Sequence, residues 1–106
     1  MKTIDVNAKE WFDRVNGNSY FSARVTVDYG LKTEKSYVLP FRGGYGDHYI
    51  DTANCYLSGK NIIDNPRHEN GTRLALWRYC KENNIILRTS KETECLKRDV
   101  LAYGVE

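Results

Sequence analysis

Residues 19–29, SYFSARVTVDY, alternate without a break. Phe21, Ala23, Val25, Val27 and Tyr29 fall on one side of an extended chain, and Ser22, Arg24, Thr26 and Asp28 fall on the other. Successive side chains of a strand point to opposite faces, so this stretch can bury one clean apolar face only as a β-strand. A helix would scatter the same groups around its circumference. Such a strand needs a neighbour for its backbone and a cover for its apolar face. GLKTEK makes a turn, and residues 35–41, KSYVLPF, alternate again as a returning strand with Tyr37, Leu39 and Phe41 inward. Pro40 has no N–H to give to a ladder, so it marks a sheet edge or the end of the strand.

The other elements read less cleanly. Residues 2–6, KTIDV, alternate weakly and suggest a short first strand. The following signals favour a helix over 8–15. Asn7 is a good N-cap, Glu10 stands where it can bond back to it, and Val6 can staple to Trp11. Trp11 and Val15 share a helical face beside Phe12, and the Asn-Gly at 16–17 would end the helix. Asp47 caps a second helix with the stripe Ile50, Ala53 and Leu57, ended by Gly59. Residues 59–71 form a polar linker. Thr72 caps a third helix that places Leu74 with Trp77 and Leu76 with Cys80 at core spacing, stopped by the pair Asn83 and Asn84. IILRTS at 85–90 reads as a strand. In the tail ETECLKRDVLAYG, Leu96, Val100 and Tyr103 fit a helix closed by Gly104; Leu96 and Val100 also fit alternate strand positions, and the helix is the better fit. The order β-α-β-β-α-α-β-α predicts one α+β domain, 1–106, with a small, mostly antiparallel sheet of about four strands and helices packed on one face.

Composition narrows the function classes. At 106 residues the chain can bury one core. No apolar run is long enough to cross a membrane, and MKTIDVNAKEWF lacks the basic flank and apolar stretch of a secretory signal. The expected compartment is the cytosol. Cys55, Cys80 and Cys95, odd in number and widely spaced, then read as reduced thiols, and the sequon NGT at Asn70 carries no sugar. A net charge of +2 is too mild to argue for nucleic acid or an acidic membrane. Tyrosine, with eight copies, is the one excess, and both strands and interfaces are enriched in it.

The stretch PFRGGYGDHY, residues 40–49, is the leading candidate site. Gly43, Gly44 and Gly46 let the backbone approach a ligand, Arg42 can fork onto a phosphate, and the bend runs into a helix N-terminus that favours an anion. It is neither a Walker loop nor a dinucleotide fingerprint. Asp47 at the cap would satisfy the same N–H groups and repel a phosphate. Recognition is therefore expected from Arg42, Tyr45 and His48 projecting from a glycine-shaped bend. A bend between strand and helix also needs glycine whatever its purpose.

Other chemistry is thinner. His48 and Cys55 lie about 10 Å apart along a helix axis at roughly 1.5 Å per residue, too far for a nucleophile–base pair. Asp47 and Asp51, at i,i+4, could act with His48 in an enzyme if a pocket gathers them. The Cys and His spacings do not match a structural zinc site, and no cofactor is called for. Arg24 on the polar strand face, with Tyr20 and Tyr45 to stack bases, is the nucleic-acid alternative, set against a surface where acids and bases are interleaved.

The pairing of AKEWFDRVNGNSYFSARVTV with LPFRGGYGDHYIDTA resembles small uncharacterised proteins of bacteriophage and prophage genomes that share a W-F…G-N-S/T-Y element, a hairpin and a G-Y-G-D-x-Y loop. The matching residues are Trp11, Phe12, Gly17, Asn18, Ser19, Tyr20, Gly44, Tyr45, Gly46, Asp47 and Tyr49, within residues 8–57. The resemblance implies a bacterial cytosol and a non-enzymatic accessory protein that binds a host protein or a small nucleotide signal and blunts host defence. It carries over no catalytic residue.

Overall fold

The computed structural model describes residues 1–105. Its elements are β1 (Thr3–Asp13), β2 (Asn18–Val27), β3 (Lys35–Gly43), α1 (His48–Gly59), α2 (Leu76–Glu82), β4 (Ile86–Glu92) and α3 (Lys97–Tyr103). The strands form one sheet in the order β3-β2-β1-β4. β2 pairs antiparallel with both β1 and β3, while β4 lies parallel to β1. The fold is thus α+β with a mostly antiparallel sheet. β3 and β4 occupy opposite edges, so the chain between them crosses the sheet, carrying α1 and α2 over one face.

β2 behaves as its alternation demands. Phe21, Ala23, Val25 and Val27 are buried, matched across the ladder by Glu10, Ala8, Val6 and Ile4 of β1. Tyr37 and Leu39 of β3 face the same side, where Tyr49, Ala53 and Leu57 of α1 and Leu76 and Cys80 of α2 close the core. Tyr29 lies beyond the strand's end and is exposed, against the expectation that it would point inward. At Asp28 the backbone turns into the left-handed region (φ 54°), which breaks the alternation.

The helix expected over 8–15 is a strand. β1 runs unbroken to Asp13, and residues 14–17 form the hairpin turn, with the Gly17 N–H donating to the Asp13 carbonyl at 2.7 Å. Asp13 Oδ1 accepts from the backbone N–H of Val15 and Asn16, so Asn-Gly serves the turn and does not end a helix. The side-chain amide of Asn16 on Asp13 Oδ2 is the main reason the Asp13 carboxyl is held below the usual range. Asn7 caps nothing; its Oδ1 meets the Ser90 hydroxyl of β4. Val6 and Trp11 sit on opposite faces of the strand and cannot staple. Pairing on both sides with β2 and β4 outweighs a local helical preference worth only tenths of a kcal/mol per residue, about 0.7 at most.

Two further differences matter for the site. The register of β3 against β2 slips between Phe21 and Ala23, because Leu39 to Arg42 spans one residue more than its partner segment. That bulge, at Pro40 and Phe41, turns Phe41 off the core face and onto the ring of Tyr20. Pro40 is exposed on an edge strand, where its missing N–H costs no ladder bond. Thr72 does not cap the third helix, which starts at Leu76 after Ala75; Trp77 is exposed and Leu74 half-buried. The carbonyl of Leu74 is instead held by the side-chain amides of Asn54 and Asn65, which fasten the linker to α1.

The tail is helical, as its better fit implied. α3 lies on the face opposite α1 and α2, so the helices are not confined to one side. Val100 is fully buried there, and the buried Ser22 hydroxyl donates to the Val100 carbonyl. No helix among the described residues is long and apolar enough to cross a membrane.

Candidate functional site

Arg42 and Gly43 belong to β3, so the glycine bend is shorter than the sequence suggests and runs from Gly44 to Asp47. It is pinned at three points. The Gly44 N–H donates to the Ser19 carbonyl at 3.0 Å, the His48 N–H to the Tyr45 carbonyl at 3.2 Å, and Lys91 Nζ to the Gly46 carbonyl at 3.0 Å. Gly44 has φ 157°, and a Cβ there would fall 2.6 Å from His48 Cδ2 and 2.7 Å from Phe21 Cε1. Glycine is required at this position by close approach. Gly46, with φ 60°, is in the left-handed region but faces open space, so its requirement is one of backbone conformation.

His48 stands edge-on to the Phe21 ring, with centroids 5.9 Å apart, and shields the backbone of Gly44. It is partly a packing residue. Tyr45 is different: its side chain projects from the top of the bend and is 79% exposed. Arg42 is also exposed, at the end of β3 opposite Phe21. A shallow depression of about 530 Å³ runs beside the loop, lined by Gly43 through His48 and by Asp51. Asp47, His48 and Asp51 thus share one concavity, yet all three are exposed and no hydrogen bond joins their side chains among the described residues.

Asp47 occupies the N-cap position of α1 but makes no side-chain cap bond, its backbone lying at φ −89° and ψ 12°. Against expectation, its carboxylate therefore does not satisfy the helix N–H groups. Its charge still opposes a phosphate, since Asp47 and Asp51 both line the depression.

The residues that hold the loop were not legible as site residues. Lys91 Nζ lies 2.7 Å from Glu10 Oε2, in a pair with side-chain exposures of 19% and 15%, and also sits 5.9 Å from the Tyr49 ring centroid. Glu10 continues the inward series Ile4, Val6, Ala8 along β1, and Lys91 continues Leu87 and Thr89 along β4. An acid on the core face at the end of a strand demands a cation. A helix over 8–15 would remove that signal, because Glu10 would then belong to no strand face.

Arg24 and Tyr20 lie on the other face of the sheet and both are engaged, although Tyr20 also lines, with Gly43, Gly44 and Tyr45, a depression of about 610 Å³. The guanidinium of Arg24 sits 4.4 Å from the Tyr103 ring centroid and donates through Nε to the Tyr103 carbonyl at 3.2 Å. Tyr20 is stacked between Trp11, at 5.5 Å, and Phe41, at 5.2 Å, with Lys97 over Trp11. Neither ring face of Tyr20 is open to a base, and α3 covers much of the sheet face on which nucleic acid was the alternative. Among the described residues no group of three Cys, His, Asp or Glu side chains converges as a metal site. Burial pushes the Cys80 thiol up to about 11, so it remains protonated and packs as an apolar group.

No protein-family model matches the chain, and neither curated proteins nor solved structures provide a match.

Proposed function

We propose that this is a non-enzymatic binding protein that engages a protein of a bacterial host cell through Arg42, Tyr45 and the bend they flank. The observation that carries the reading is the contrast between a backbone pinned at three points and a tyrosine left 79% exposed at its tip. A rigid loop presenting an aromatic ring loses little conformational entropy on association, and tyrosine and arginine are the residue types that most often anchor interfaces. A protein partner fits the lining better than a nucleotide signal does, because Asp47 and Asp51 both line the depression at the start of α1 and would repel a phosphate there. A phage-type accessory role, directed against host defence, is the context suggested by the resemblance of residues 8–57 to phage and prophage proteins.

The test is affinity capture from bacterial lysate with wild-type protein and the double variant Arg42→Ala, Tyr45→Ala, followed by direct titration of any captured protein. Loss of about 2 kcal/mol or more in the double variant supports the assignment. Unchanged affinity assigns the interface elsewhere. A nucleotide found in the co-purifying material by mass spectrometry would replace the protein partner in this reading.

A further inference from the structure

The bulge in β3 leaves a place on the core face unfilled. Regular alternation after Tyr37 and Leu39 would set Phe41 inward against α1. The bulge sends Phe41 to the ring of Tyr20 instead, on the opposite face. What remains is a depression of about 550 Å³ between the end of β3 and one side of α1. Leu39 lines it from the strand, and Thr52, Cys55 and Tyr56, at i, i+3 and i+4, line it from the helix. Thr52 and Tyr56 are half-buried and Cys55 is exposed. Pro40 and the bulge deny this edge to an added strand, so it can accept a side chain but not a backbone. Among the described residues that line the depression, Arg42 alone is charged. It pairs with Phe21 in the ladder yet is exposed, and none of the three ion pairs among the described residues uses it. Lys60 adds a second cation beside Tyr56, 6.0 Å from its ring centroid. Asp47 and Asp51 line the depression next to the loop and not this one.

We propose that this depression receives an aromatic side chain of the partner protein, with a neighbouring carboxylate on Arg42. The inference rests on the reading that the chain binds another protein at this end, and it names the chemistry of that partner's contact. Shape selects the aromatic group. The place that Phe41 vacates is walled by Leu39 and Tyr56, and an aromatic anchor seated in such a pocket supplies much of an interface's affinity. Charge selects its neighbour. Arg42 and Lys60 make the rim positive, and an acidic residue next to the anchor meets a guanidinium that can hold it through two N–H groups. Gly43 lines both this depression and the one beside Tyr45, so a single partner reaches both.

The test uses three acetylated, amidated tripeptides, Glu-Phe-Glu, Lys-Phe-Lys and Glu-Ala-Glu, titrated into the full chain and followed by backbone amide NMR shifts. The wild type is expected to bind Glu-Phe-Glu with a Kd of about 1 mM, and the other two about tenfold more weakly. The shifts should centre on Gly43, Thr52, Cys55 and Tyr56. Arg42→Glu is expected to invert the preference between Glu-Phe-Glu and Lys-Phe-Lys. Cys55→Trp, which fills the depression from an exposed position, is expected to abolish binding. No shift at about 10 mM probe, equal binding of all three, or shifts centred elsewhere overturns the proposal. If Cys55→Trp does not fold, Arg42→Glu decides, and an unchanged preference counts against the depression. A captured host protein whose affinity is unaltered by a folded Cys55→Trp also overturns the proposal and leaves the protein-binding reading in place. Probe binding with the expected preferences, where no host protein is captured, supports the chemistry of the depression and counts against the host-protein reading alone.

Discussion

The two faces of this sheet are covered by different physics. On one, aliphatic side chains of β1 and β2 meet α1 and α2 in one continuous cluster of buried residues. On the other, α3 is held by a single fully buried apolar residue, Val100, by a serine hydroxyl on its backbone, and by cations over rings: Arg24 and Lys9 over Tyr103, and Lys97 over Trp11. The first face carries the fold because hydrophobic stabilisation scales with apolar area removed from water. The second fixes an arrangement, since cation–ring contacts at partly exposed sites add only about 0.5–1 kcal/mol each. Loss of the first face should therefore unfold the protein, and loss of the second should free α3 and leave the sheet intact.

The sharpest way to break that comparison is Leu57→Ala. Leu57 is fully buried at the centre of the α1 contact, and its truncation should cost about 2–5 kcal/mol in denaturant unfolding. Next is Gly104→Ala. A Cβ there would stand 2.9 Å from the backbone nitrogen of Phe41 and 2.9 Å from Ser22 Cβ, neither of which can give way cheaply. The expected cost is about 1–3 kcal/mol. Hydrogen exchange should show the loss confined to α3, and uniform loss of protection across the sheet would mean that the two faces form one cooperative unit. Arg24→Ala should cost about 1 kcal/mol through the Tyr103 ring and carbonyl, again read at α3.

The smallest effect concerns acid. Asp28 accepts from the Lys2 N–H first, then from the Thr33 hydroxyl and the Thr3 N–H, and these hold its carboxyl below the usual range. A carboxylate depressed in the folded state stabilises fully above its unfolded value of about 3.9, and the contribution fades as pH falls through the lower folded value. Thermal midpoints should hold steady from neutrality to about pH 5 and drop below about pH 4. Asp28→Asn should flatten that drop. Because Asp28 ties the N-terminal end of β1 to the end of β2, the change should affect both faces alike.

The same contrast explains what could be read in the chain. β2, β3, β4 and α1 were legible because each carries its own pattern: alternation in the strands, and the stripe Ile50, Ala53, Leu57 in the helix. From Ala8 onward β1 is not legible in the sequence: Ile4, Val6 and Ala8 alternate, but Asn7, Glu10 and Asn16-Gly17 offer plausible helix ends that compete with the alternation. Asn7 and Glu10 answer instead to partners about 80 positions away, Ser90 and Lys91, while Asn16-Gly17 serves the hairpin turn at Asp13. The loop was visible by its glycines and by Tyr45. Its anchor was not, because Lys91 is one more surface-type residue until β4 lies beside β1.

The sequence by itself determined that the chain is α+β, that Phe21 to Val27 bury one face, and that a glycine bend leads from β3 into α1. These follow from local periodicity and from the conformations that glycine alone adopts freely. Tertiary structure decided that residues 8–13 are extended, that α3 lies on the polar face, and that Phe41 turns outward to stack on Tyr20. It also decided that Glu10 and Lys91 hold the bend while Tyr45 projects from it. Each of these depends on pairings between distant segments, whose backbone bonds and buried charges outweigh the fractions of a kcal/mol by which local sequence prefers one conformation.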